Sequence, residues 1–171
     1  MTREEFIKVL DRKKYSYKIQ GDNIIVTHKG SVWLNSLTSL PPGVEFENGG
    51  GVYLDALTSL PPGVEFKNWS GVNLNSLTSL PPGVVFKNGG IVKLSALPSL
   101  PPGVEFRNKG EVWLESLTSL SPGVEFKNGR YVLLNSIIGV GGYFHYWEGN
   151  IEGIDEKRLL NKMISIGIFE R

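Results

Sequence analysis

Between residues 32 and 134 the apolar positions recur every twenty residues in one fixed spelling, V-x-L-x-x-L-x-x-L-x-P-G-V-x-F-x-N. Its first positions are Val32, Val52, Val72, Val92 and Val112, and each copy carries six apolar anchors. In the second copy they are Val52, Leu54, Leu57, Leu60, Val64 and Phe66. Val-x-Leu and Val-x-Phe alternate apolar and polar, the period of a strand. Between them lie Pro-Gly turns and Asn-Gly or Gly-Gly corners, which interrupt regular structure. No stretch inside the unit is long enough for an ordinary helix. Each unit therefore predicts one coil of a mainly β, parallel β-solenoid, with about five to six coils in all. A single coil cannot bury its own apolar face; a neighbour of the same shape buries it. An antiparallel meander, with "VEFKNGGGVYL" as a hairpin, is the alternative. Stacking of like on like accounts better for the near-identity at Leu, Pro, Gly, Phe and Asn.

The ends break the pattern in ways that predict caps. Thr2 and Glu5 match a capping box, and Phe6, Val9 and Leu10 follow on one helical face. Tyr15, Tyr17 and Ile19 alternate, and Gln20-Gly21-Asp22-Asn23 turns the chain into Ile24–Val26, a half-copy of the repeat. Residues 1–31 are thus expected to form a helix-plus-hairpin cap, residues 32–138 the solenoid, and residues 139–171 a second cap, all within one structural domain. In the last segment Asp155 can cap a helix carrying Leu159, Leu160, Met163 and Ile164, stopped near Gly167. Ile166, Ile168 and Phe169 leave apolar material there, so a homodimer through this segment is the rival expectation.

Stacking turns every outward position into a column. One column reads Glu45, Glu65, Val85, Glu105, Glu125, and beside it run Glu47, Lys67, Lys87, Arg107, Lys127. Like charges on adjacent strands repel, and the neighbouring column of opposite sign offsets that. Asn48, Asn68, Asn88, Asn108 and Asn128 predict a ladder of amides serving the corners. The position between each Val and Leu varies most: Trp33, Tyr53, Asn73, Lys93, Trp113, Leu133. It adjoins Ser31, Gly51, Gly71, Ile91, Glu111, Tyr131. Large aromatics on an outward strand are candidates for contact. The candidate partner-binding residues are Trp33, Tyr53, Asn73, Lys93, Trp113 and Tyr131; the same rings could instead only cover their neighbours. Trp69, at a corner otherwise rich in glycine, is a lesser candidate.

Charge and composition narrow the classes. The formal net charge is +1, and the basic columns are matched by acidic ones, so neither nucleic acid nor an acidic mimic of it is indicated. No cysteine is present, which excludes thiol chemistry. No apolar run reaches membrane-spanning length and no secretion signal opens the chain, which predicts a cytoplasmic protein without a membrane partner. His28 falls on the asparagine-ladder position. His145 and Glu148 make at most half a metal site. Neither G-x-S-x-G nor H-E-x-x-H occurs, so no enzyme, metal or cofactor is expected.

The run "L-T-S-L-P-x-G-V" after "V-x-L-x-x" resembles bacterial leucine-rich repeats, over residues 24 to about 138. It is similar to short leucine-rich-like tandem proteins of bacteria and their phages. The family's asparagine belongs where Leu37, Leu57, Leu77, Leu97 and Leu117 stand here, which implies a compact, mostly β coil rather than a helix-backed horseshoe. The resemblance implies a host–phage or intracellular regulatory partner, or a defence component as target. The expected function is a non-enzymatic module that recognises a protein on its aromatic strand face. The alternatives are a carbohydrate-binding protein, for which Asp55, Glu111 and Glu115 are the available carboxylates, and a self-associating structural protein.

Overall fold

The computed structural model describes residues 1–121, 123–134, 143–147 and 150–152. The repeat folds as a parallel β-solenoid of about five turns. Each coil contributes one strand to a phenylalanine sheet and one to a valine–leucine sheet. The first sheet contains Asn23–Val26, Val44–Phe46, Glu65–Phe66, Val85–Phe86, Glu105–Phe106 and Glu125–Phe126. The second contains Val32–Trp33, Val52–Tyr53, Val72–Asn73, Val92–Lys93, Val112–Trp113 and Tyr131–Leu133. On the third side, Ser99–Leu100 pairs with Ser119–Leu120, and Ser59 bridges Ser79. Register is position on position: Phe46 lies against Phe66, Glu105 against Glu125, Val72 against Val92. Neighbouring repeats run in the same direction, so the meander is excluded.

This register stacks the core. Phe46, Phe66, Phe86, Phe106 and Phe126 form a pile with successive centroids 5.4, 5.5, 5.2 and 5.1 Å apart. The spacing tracks the ~4.8 Å rise between paired strands. Pro-Gly makes each sharp corner because Gly43, Gly63, Gly83, Gly103 and Gly123 all have φ between +71° and +78°. That is the region a type II turn needs after proline, and one that a Cβ disfavours.

The expected asparagine ladder is present. Asn88 Nδ2 donates to Ser70 O of the preceding coil (3.0 Å) and to Gly90 O (3.0 Å) and Ile91 O (3.4 Å) of its own. Asn48 and Asn68 repeat this arrangement. One buried amide thus closes the corner and ties it to the coil before it.

At the N-terminus the helix Arg3–Arg12 carries the capping box: Glu5 N donates to Thr2 Oγ1 (3.2 Å) and Thr2 N to Glu5 Oε2 (2.7 Å). Phe6 and Leu10 are fully buried on the first coil. The strand Tyr17–Gln20 pairs antiparallel with Asn23–Val26, which pairs parallel with Val44–Phe46. The hairpin and helix cover the coil end that would otherwise be an open core and edge.

At the other end the valine–leucine sheet runs on past the repeat. Tyr143–Trp147 and Asn150–Glu152 extend the valine–leucine sheet antiparallel, with Val132 opposite Phe144 and Tyr146 opposite Ile151. Leu133, expected outward, is only 4% exposed. The helix expected from Asp155, and the proposed pairing surface at Ile166, Ile168 and Phe169, lie outside the described residues.

Candidate interaction face

The valine–leucine strands are built by alternation: Val and Leu point inward and the residue between them points out. Stacking in register places Trp33, Tyr53, Asn73, Lys93 and Trp113 in one column on adjacent rungs. Tyr131 falls in the adjoining column, one rung past Glu111, since Val112 pairs with Val132.

The column divides into two couples. Trp33 and Tyr53 stack face to face, centroids 3.8 Å apart and planes 2° from parallel. Trp33 stays 50% exposed. The N-terminal cap holds it from behind, because Trp33 N donates to Tyr15 Oη (2.9 Å). The Tyr53 ring lies over Gly51, where an added Cβ would come within 2.9 Å of a ring carbon. Three rungs on, Lys93 Nζ sits 4.1 Å from the centroid of Trp113, a cation–π contact. Trp113 Nε1 donates to Glu111 Oε2 (2.8 Å), and Arg130 reaches Glu111 Oε1 at 3.9 Å. Asn73 separates the couples.

The rings therefore do partly cover one another, and part of the column remains open to solvent. The Glu111–Trp113 bond was missed from sequence; its signal is the two-residue spacing that puts both on one strand side. The carboxylates considered for sugar chemistry are engaged structurally. Glu111 serves Trp113, and Asp55 accepts from Asn75 Nδ2 at 3.2 Å. Asn35, with its amide oxygen and nitrogen assigned to satisfy both groups, donates to Tyr53 O at 2.9 Å and to Asp55 Oδ2 at 3.2 Å.

On the phenylalanine sheet, the acidic and basic columns interlock as expected. Lys67 Nζ lies 2.9 Å from Glu45 and 2.7 Å from Glu65, and Arg107 and Lys127 pair with Glu105 and Glu125. The Lys67 hydrogen bond holds the Glu45 carboxyl below its ordinary range against the opposing effect of burial. Trp69 is 81% exposed at its corner, more than any residue of the aromatic column, so the sequence ranking of the two is reversed in exposure.

Among the described residues no group of three or more His, Asp or Glu side chains is placed to hold a metal ion, and no helix is long and apolar enough to cross a membrane. No protein-family model, curated protein or solved structure matches the chain.

Proposed function

We propose that the protein is a non-enzymatic binding module that holds a protein partner on the Trp33–Trp113 column. The observation that carries this reading is the Trp33–Tyr53 stack, with Trp33 half-exposed, in line with the Lys93–Trp113 couple. Five rungs span about 19 Å, the scale of the central patch of an ordinary protein interface. Tryptophan and tyrosine dominate the energetics of such patches. Their rings are already held by stacking, so little side-chain freedom is lost on contact. Asn73 and Lys93 supply polar selection between and beside the rings.

Protein is favoured over carbohydrate by how the ring faces are occupied. Trp33 and Tyr53 cover one face of each other, and Lys93 occupies one face of Trp113, so fewer ring faces stay open. A sugar needs an open face. The likeness of the repeat to leucine-rich arrays of bacteria and phages supports a cytoplasmic setting, with a regulatory or defence component as partner.

The test is affinity capture from a bacterial lysate with wild type and with Trp33→Ala/Trp113→Ala. The reading expects a partner retained by wild type and lost by the double variant. An unchanged set of retained proteins overturns it, and a soluble glycan bound on an array would replace it with the carbohydrate reading.

A further inference from the structure

A second surface runs along the corner between the two sheets. Its column is Lys29, Gly49, Trp69, Gly89, Lys109, Gly129, a strict alternation of large side chain and glycine. Backbone bonds keep it in register: Trp69 N donates to Asn48 O (3.1 Å), Gly89 N to Asn68 O (2.8 Å), Lys109 N to Asn88 O (3.1 Å). The glycines are sterically required. A Cβ on Gly49 would lie 2.1 Å from Lys29 O, on Gly89 2.1 Å from Trp69 O, and on Gly129 2.5 Å from Lys109 O. Side chains therefore project only from alternate rungs, with bare backbone between them. Two rungs are about 9.6 Å.

The ridge carries uncompensated positive charge. Lys29 and Lys109 on the ridge, and Lys87 in the flanking basic column, are exposed, and none of their ammonium groups has an ion-pair or hydrogen-bond partner among the described residues. Lys87 lost its partner because Val85 interrupts the glutamate column, while Glu65 is taken by Lys67. Trp69 stands between Lys29 and Lys109, 81% exposed and without a ring partner among the described residues.

We propose that this ridge binds an acidic peptide in the polyproline II conformation, with a proline on Trp69 and acidic side chains on Lys29 and Lys109. The repeat distance selects the conformation. Polyproline II advances about 9.3 Å per three-residue turn, so residues i, i+3 and i+6 point one way at nearly the ridge spacing. An extended strand returns to the same side every ~6.7 Å, and a helix every two turns advances ~10.8 Å. Over two steps the helix is out by about 2.4 Å and polyproline II by about 0.6 Å. Proline docking on exposed aromatic rings is an established mode of peptide recognition.

The test is fluorescence anisotropy with labelled acetyl-EPPPPPE-amide, compared with KPPPPPK and the flexible EGGGGGE. Trp69→Lys places in the corner a side chain that the same column already accepts at 29 and 109, so the coil is kept; circular dichroism verifies it. The proposal expects EPPPPPE to bind, the other two to bind at least about tenfold more weakly, and Trp69→Lys to weaken EPPPPPE by about tenfold or more. Lys29→Glu/Lys109→Glu is expected to transfer the preference to KPPPPPK. Equal binding of EGGGGGE, indifference to both variants, or no binding up to about 1 mM overturns the proposal. So does binding of oligothymidylate in place of the peptide, which would make the ridge a nucleic-acid contact.

Discussion

Trp33 and Tyr53 lie with ring centroids 3.8 Å apart on adjacent rungs, each on the outward side of its strand. A half-exposed Trp33 and a partly buried Tyr53 stacked in this way stabilise partly through each other, so their contribution should be coupled. A double-mutant cycle with Trp33→Ala and Tyr53→Ala, followed by urea unfolding, is expected to give a coupling of about 0.5–1.5 kcal/mol. A coupling near zero would mean that the stack forms only weakly in solution.

The phenylalanine pile runs through the core along the coil axis. Phe86 is fully buried between Phe66 and Phe106, at 5.5 and 5.2 Å. Phe86→Ala removes both contacts in the middle of the array, where no cap can relax to fill the gap. It is expected to destabilise by about 3–5 kcal/mol in chemical denaturation.

Asn88 donates one amide nitrogen toward three carbonyl groups, which makes the chemistry of replacement more important than its size. Asn88→Ala removes one of two donors from each carbonyl, since Ser70 O keeps Asn68 Nδ2, Gly90 O keeps Asn108 Nδ2 and Ile91 O keeps Val72 N, and should cost about 1 kcal/mol. Asn88→Asp puts a carboxylate oxygen where the donor was, facing carbonyl oxygens in a buried site. It should be more destabilising than alanine at neutral pH although it is nearly isosteric. The ordering of unfolding midpoints, wild type above Ala above Asp, is the measurement.

Two glycines should fail for different reasons. Gly83 has φ +74° and nothing within 4 Å of an added Cβ, so Gly83→Ala meets only backbone strain, about 1–2 kcal/mol. Gly89 has a carbonyl 2.1 Å from the same atom, so Gly89→Ala must push two coils apart. Thermal unfolding should place Gly89→Ala well below Gly83→Ala.

What could be read from the residues was whatever depends on repetition. Identical positions at a fixed interval imply the parallel register of Phe46, Phe66 and Phe86, the outward column from Trp33 to Trp113, and the asparagine ladder. The Thr2–Glu5 box and the hairpin before Asn23 carry local signals that need no partner coil. What depends on the approach of backbones was hidden. Glycine at 49 and 89 reads as a flexible corner, and only the position of the preceding carbonyl shows it to be a steric requirement that spaces Lys29, Trp69 and Lys109. The antiparallel strand Tyr143–Trp147 was hidden too, because it follows no repeat and begins after a glycine-rich run. The column from Trp33 to Trp113 was legible as a set of positions, but not as two couples with Asn73 between them. Whether a ring stacks on its neighbour or stands free depends on side-chain torsions that the spacing of residues leaves open.

The ion pairs around Lys67 give the fold a defined pH response. The Lys67 hydrogen bond is the main cause that holds Glu45 below its ordinary 4.5; burial opposes it, and the Lys67 charge and an Asn23 hydrogen bond add to it. A carboxyl with a lowered folded pKa contributes stability above its unfolded value, and that contribution is lost as pH falls through the folded value. Lys67 itself is raised above 10.5, first by Glu65 and then by Glu45. Its contribution is complete below 10.5 and is lost only as pH rises through the folded value. Because the Lys67 side chain is 34% exposed, solvent screening limits the Glu45–Lys67 pair to about 1 kcal/mol or less. Glu45→Gln should therefore be slightly less stable than wild type at neutral pH, and the difference should close as pH falls below 4.5. Urea midpoints of both proteins measured down through the carboxylate range are expected to converge. Parallel curves across that range would show that Glu45 titrates as a free surface carboxylate and that the pair does not form.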